Sequence, residues 1–317
     1  MARLIEHVIG HQEQINRLNF AQVNGSLPHA MVFSGPQGVG KMSVALALAQ
    51  NLTCENFTDK ACGVCGACRR AEKQQSENVK IVSPQGAYIK IEQIRDVLDY
   101  LSLASEGHRR VIIIDQAQTL NPQASNALLK TLEEPADNVF FILITADVRL
   151  LMPTIRSRSQ VVLFKSLSIE ELQRIKPDLP IWVYKAARGQ ASRLTELTDS
   201  DTVEKRIHDL QFYERFWTDE DFIHQFDVKD FAKDRAEASK VIKNWSVFTR
   251  DLILCLHEDK DLMMNSDQIG VFKNLTFVSP DKLFDFASEL VQAEKDVEKL
   301  DTALLFESLW VRYARNK

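Results

Sequence analysis

The sequence predicts a layered α/β domain over residues 1–165, built on a five-stranded parallel sheet, followed by an all-helical remainder. Three observations predict it. Five short apolar, β-branched runs recur at residues 30–33, 79–82, 111–114, 139–144 and 161–164, as strands buried on both faces of a sheet require. Amphipathic segments, such as residues 91–103 and 124–132, fall between them. After Phe164 no strand-like run returns.

Each element follows from local chemistry. The first run enters Gly35-Pro36-Gln37-Gly38-Val39-Gly40-Lys41, and a helical pattern follows at residues 44–50. Strand, glycine-rich loop and helix in that order form a phosphate-binding loop. Gly35, Gly38 and Gly40 let backbone N–H groups turn onto phosphate oxygens, the helix N-terminus adds positive dipole, and Lys41 reaches the outer phosphates. The residue after Lys41 is Met42, where a hydroxyl is needed to ligate Mg²⁺. A thioether is a poor ligand for a hard cation. Ser43 sits one residue later, about 100° around the helix, and is not expected to substitute. ATP or ADP binding therefore stays open, while Mg²⁺ ligation is disfavoured.

The third run ends in Asp115, a Walker B pattern, but Gln116 follows it. An amide is a very weak base, so activation of water is not expected there. Thr145 closes the fourth run. Ahead of the fifth lies Thr154-Ile155-Arg156-Ser157-Arg158-Ser159, which by itself reads as a solvated turn. Beyond it, Ser168 with Glu171 three residues on forms a capping box. Residues 283–304 carry Leu283, Phe286, Leu290, Ala293, Val297, Leu300 and Leu304 at spacings of three and four. That predicts one helix with a narrow apolar seam, packed in a bundle or against another subunit.

Cys54, Cys62, Cys65 and Cys68 lie within fifteen residues. Four thiolates at Cys-x-x-Cys spacing suit a tetrahedral Zn²⁺ with no position left for water, hence a structural site. Reduced, metal-free cysteines are the alternative. Cys255 reads as core, and the histidines do not cluster.

Composition bounds the function. The 45% hydrophobic and 26% charged content is that of a globular chain and excludes a fibrous or mainly disordered one. No apolar run approaches the roughly 18 residues of a membrane span, and the polar start predicts no signal peptide, hence a cytoplasmic protein with no membrane role. The net charge of −5 divides into +2 over residues 1–200 and −7 over the rest. That argues against autonomous duplex binding, the behaviour of a generic P-loop DNA-binding protein.

The segments Ser125-Asn126-Ala127-Leu128-Leu129-Lys130-Thr131-Leu132-Glu133-Glu134-Pro135, Phe140 to Thr145 and Thr154-Ile155-Arg156-Ser157-Arg158 resemble the AAA+ clamp-loader subunits of bacterial DNA polymerase III, the gamma/tau and delta-prime family. The likeness covers residues 1 to about 200, and the cysteine module matches as well. It implies an AAA+ domain over residues 1–165 with an inserted zinc module at 54–68, a helical lid over 166–203, and a helical oligomerisation collar over 204–317.

Within that family, Met42 and Gln116 with a retained Ser157-Arg158 resemble the non-hydrolysing delta-prime branch. Ser159 replaces the usual cysteine. The resemblance implies that Arg158 acts as an arginine finger in the ATP site of a neighbouring subunit, and that the partners are gamma/tau and delta, the sliding clamp and primer–template DNA. It gives Thr145 the place of a γ-phosphate sensor, with no role for it if the site is idle. Ser192 and Arg193 fall near a second sensor whose role is not carried over. An active gamma/tau-like ATPase is the alternative.

Overall fold

The computed structural model describes residues 3–102, 109–136, 138–222 and 234–314. They form two compact units, one of residues 1–178 with 188–193, the other of residues 179–187 with 194–317. The segment 166–203 is thus shared between the units. Its helices are Ile169–Ile175, Ile181–Ala187 and Arg193–Leu197. The predicted capping box is formed, with Ser168 Oγ accepting from Glu171 N (3.2 Å) and Glu171 Oε2 accepting from Ser168 N (2.8 Å).

In the first unit, β1 (Ala30–Ser34), β2 (Val79–Val82), β3 (Arg110–Ile114), β4 (Val139–Thr145) and β5 (Gln160–Leu163) form the expected five-stranded sheet. Its order is β2-β3-β4-β1-β5 and every pairing is parallel. The central strands bury both faces because side chains alternate across them. Val32, Ile112, Ile114, Phe141 and Leu143 belong to one apolar cluster; Met31, Phe33, Val111, Ile113, Ile142 and Ile144 belong to the other. The edge strands depart from the fully buried pattern. Ile81 is 37% and Leu163 61% exposed, since an edge strand is covered less completely than a central one. The register matters for function: Ser34 pairs with Thr145, so the loop after β1 and the end of β4 emerge side by side at the carboxyl edge.

The second unit is helical. Its main helices are Ser200–Thr218, Arg235–Leu256, Pro280–Asp296 and Thr302–Tyr313. Aromatic rings fill its core: Trp245 meets Phe216 at 4.9 Å, Phe306 at 5.4 Å and Tyr213 at 5.6 Å between centroids. Cys255 is buried there, as expected.

The predicted single seam over 283–304 is corrected. Leu283, Phe286, Leu290, Ala293 and Val297 are buried, but the helix ends at Asp296. Asp301 caps a new helix by accepting from Ala303 N and Leu304 N. Leu300 and Leu304 therefore fall outside the seam, 48% and 65% exposed. The predicted helix over 91–103 is Ile91–Ser102; Leu103 lies outside the described residues. Among the described residues, no helix is long and apolar enough to cross a membrane.

Candidate functional site

The loop after β1 is shaped by positions that side chains tolerate badly. Gly38 has φ +70°, and a Cβ there would stand 1.9 Å from Ser192 Oγ. Gly35 has φ +156°, and its Cβ would stand 2.2 Å from Phe164 O. Gly40, also at positive φ, immediately precedes the helix Lys41–Thr53. The three glycines thus permit a close-packed turn whose N–H groups end on a helix N-terminus, an anion-binding arrangement.

Lys41 is 6% exposed. Its ammonium donates to Gly35 O and Pro36 O, both at 2.6 Å. Burial lowers its pKa, partly offset by the charge of Asp115. Asp115 is thus close enough to act on it electrostatically, as the strand-end carboxylate of a phosphate site should be. Asp115 Oδ1 also accepts from Gln116 N (2.9 Å). Gln116 is in a left-handed conformation (φ 51°).

A cleft of about 580 Å³ opens here, in the size range of ligand pockets. Gly38, Gly40, Lys41, Asp115 and Thr145 line it, as do Met42, Ser43 and Gln116. The structure therefore brings the predicted loop residues, strand-end acid and Thr145 together, while Gly35 lies at the base of the loop. Ser43 also faces this cleft, although its helical offset predicts otherwise. Thr145 is buried, and its hydroxyl donates to Asp147 O (3.0 Å) and accepts from Asp147 N (3.3 Å).

His11 and Gln118 escaped the sequence reading, as did the contact that Ser192 makes. Ser192 N donates to Gly38 O (3.3 Å), fastening residues 188–193 onto the phosphate loop. His11 Nε2 bonds Val39 O (2.8 Å) with its ring against Phe164. Gln118 lines the cleft with a buried Oε1 that has no hydrogen-bond partner among the described residues. The Gly10-His11 pair, both at positive φ, is the one local signal that marked an unusual turn.

Arg158 is absent from the cleft lining. It follows the short helix Pro153–Arg156, donates through Nη1 to Thr154 O (3.0 Å), and pairs through Nη2 with Glu133. Its side chain is 34% exposed, so the guanidinium is held by its own chain yet reachable.

The four cysteines converge: the sulfurs of Cys54, Cys62, Cys65 and Cys68 all lie within 4.8 Å of one another. Cys62 Sγ and Cys68 Sγ are 3.9 Å apart, against about 3.8 Å for a tetrahedron with 2.3 Å metal–sulfur bonds. Backbone N–H groups point at the sulfurs: Cys62 N to Cys54 Sγ (3.2 Å), Cys65 N to Cys62 Sγ (3.3 Å), Cys68 N to Cys65 Sγ (3.4 Å). The N–H groups of Val64 and Cys65 pull the Cys62 pKa down to about 6, whereas burial raises those of Cys54 and Cys68. The donor set thus fits a closed, soft-metal site. The module is tied to the helix that starts at the phosphate loop: Gln50 Nε2 donates to Cys68 O (3.1 Å), and Asn51 Oδ1 accepts from Ala61 N (2.9 Å).

Residues 10–168, half the chain, match the family model described as DNA polymerase III, delta subunit. The chain is 39% identical over 169 residues to the DNA polymerase III subunit tau of Escherichia coli, covering 52% of this chain and 26% of that protein. It is 31% identical over 195 residues to subunit delta' of Bacillus subtilis, covering 59% of each. It therefore spans well under two thirds of these relatives. A gamma subunit-related protein of Thermotoga maritima aligns over 96% of this chain and 99% of its own, with 17% identity and a TM-score of 0.48. With a matching family model over half its length and a parallel sheet carrying the phosphate loop, the chain belongs to the DNA polymerase III delta-subunit family of clamp-loader proteins.

Proposed function

We propose that this chain is a delta-prime-like stator of a cytoplasmic DNA polymerase III clamp loader. It assembles with gamma/tau and delta, hydrolyses little or no ATP itself, and presents Arg158 to the ATP site of a neighbouring subunit while the sliding clamp is loaded onto primed DNA. One observation carries the reading: the two positions that perform hydrolysis are changed, to Met42 and Gln116, while Arg158 lies outside its own cleft on an accessible surface. A guanidinium delivered in trans stabilises charge on the transferring phosphoryl group and is worth about 10³–10⁵ in rate.

Residues 1–165 serve as the AAA+ domain, 166–203 as its lid and 204–317 as the collar. Gly35, Gly38, Gly40 and Lys41 hold a nucleotide by its inner phosphates, with Asp115 and Thr145 beside it. Cys54, Cys62, Cys65 and Cys68 hold a structural Zn²⁺, which supplies rigidity and no chemistry. The cysteine geometry supports that assignment, since all four sulfurs are committed.

The higher identity to the tau relative favours a second reading, an active gamma/tau-like ATPase. Two measurements separate them. The isolated chain is expected to show no DNA-stimulated ATPase; robust turnover sinks the stator reading. In the reconstituted loader, Arg158→Ala is expected to cut DNA-stimulated ATPase and clamp loading by about 10³-fold or more at the affected site; unchanged rates reject the finger.

A further inference from the structure

We infer that the cleft takes a nucleoside diphosphate without a divalent cation, and gains nothing from a third phosphate. This rests on the reading above that the loop holds nucleotide.

The groups that hold inner phosphates need no metal. They are the backbone N–H groups of a loop turned by Gly38 and Gly40, and the N-terminus of the thirteen-residue helix Lys41–Thr53. The groups that would recruit the cation do not fit one. Met42 offers a soft thioether and is partly buried against the apolar cluster beneath the loop. Ser43 faces the cleft but sits one residue late on the helix. Asp115 is the strand-end carboxylate, and one of its oxygens is already engaged by Gln116 N.

The outer end of the cleft is hostile to a γ-phosphate. Asp115 brings negative charge, and Gln118 Oε1 adds a buried acceptor that has no donor among the described residues. In other phosphate loops a divalent ion bridges such acceptors to phosphate oxygens; without it, acceptor faces acceptor. The Thr145 hydroxyl has committed its proton to Asp147 O and a lone pair to Asp147 N, so it donates nothing outward. The nearby ammonium, Lys41, is shared with two loop carbonyls. A triphosphate thus brings one more negative charge beside Asp115, where Lys41 has one N–H left after its two loop carbonyls.

Calorimetric titration of the full chain with ADP and with ATP, each in Mg²⁺ and in EDTA, tests this. The ADP dissociation constant is expected to agree within about twofold between Mg²⁺ and EDTA, and ATP is expected to bind no tighter than ADP in either. Met42→Thr is expected to tighten ATP about tenfold, in Mg²⁺ alone. Wild-type ATP binding that tightens tenfold or more on adding Mg²⁺ overturns the inference. So does the absence of binding by both nucleotides, an outcome that leaves the trans-acting role of Arg158 standing, because that role is read from the reconstituted loader. If Met42→Thr fails to fold, the wild-type titrations decide alone.

Discussion

Two candidate ligand sites lie at opposite ends of one helix, and they differ in completeness. The helix Lys41–Thr53 begins at the phosphate loop and ends beside Cys54. At its C-terminal end, four sulfurs converge with N–H groups already aimed at them. At its N-terminal end the backbone cradle is whole, but the side chain that should ligate a hard cation is Met42. Geometry is preserved at both ends; donor chemistry is preserved at one. The difference teaches that the backbone shape of a phosphate loop can be whole where the side chain next to its lysine is a soft thioether. Gly35 and Gly38 are fixed by close neighbours, and Gly40 by its positive φ.

The largest expected effect is at the complete site. Cys65→Ser is expected to drop bound zinc from one equivalent to near none by elemental analysis. It should cost on the order of 3–5 kcal/mol of stability in thermal unfolding, the scale of losing a structural metal site. Undamaged wild-type protein containing no metal would break the comparison from the other side.

Next comes the shape of the incomplete site. Gly38→Ala places a Cβ 1.9 Å from Ser192 Oγ at a φ of +70°. A cost of about 1–3 kcal/mol is expected, with nucleotide binding lost in the calorimeter. Adding Ser192→Gly should recover part of the stability by removing the clash, while the φ strain stays. Full recovery would mean that conformation did not matter.

The smallest effect distinguishes a sensor from a brace. Thr145→Val removes the hydroxyl bonded to the Asp147 backbone at nearly constant volume. Stability is expected to fall by about 1 kcal/mol, with the ratio of ATP to ADP affinity unchanged. A changed ratio would return Thr145 to the role of sensor.

Much of this was legible in the residues, for identifiable reasons. The strands were visible because their apolar runs must cover two faces, and the loop because glycine spacing is what phosphate contact demands. The edge strands read as more buried than they are, because a continuous apolar run reports a strand but not its place in the order; Leu163, at an edge, is 61% exposed. The seam at 283–304 read as one helix because the periodicity survives the interruption. Asp301, an N-cap, was the overlooked sign of a restart.

The residue types and their spacing by themselves determined the chemistry on offer: four soft ligands, a phosphate cradle, a thioether where a hydroxyl is needed and an amide after the strand-end acid. Only the tertiary structure decided how those groups are spent. Ser192 is fastened on Gly38, Lys41 on the carbonyls of Gly35 and Pro36, Thr145 on Asp147, and Arg158 on Glu133. The physical reason is that a local pattern names a donor or acceptor but not its partner: Ser192 and Arg158 meet theirs because the fold joins residues far apart in the chain, while Lys41 and Thr145 close on their own loops.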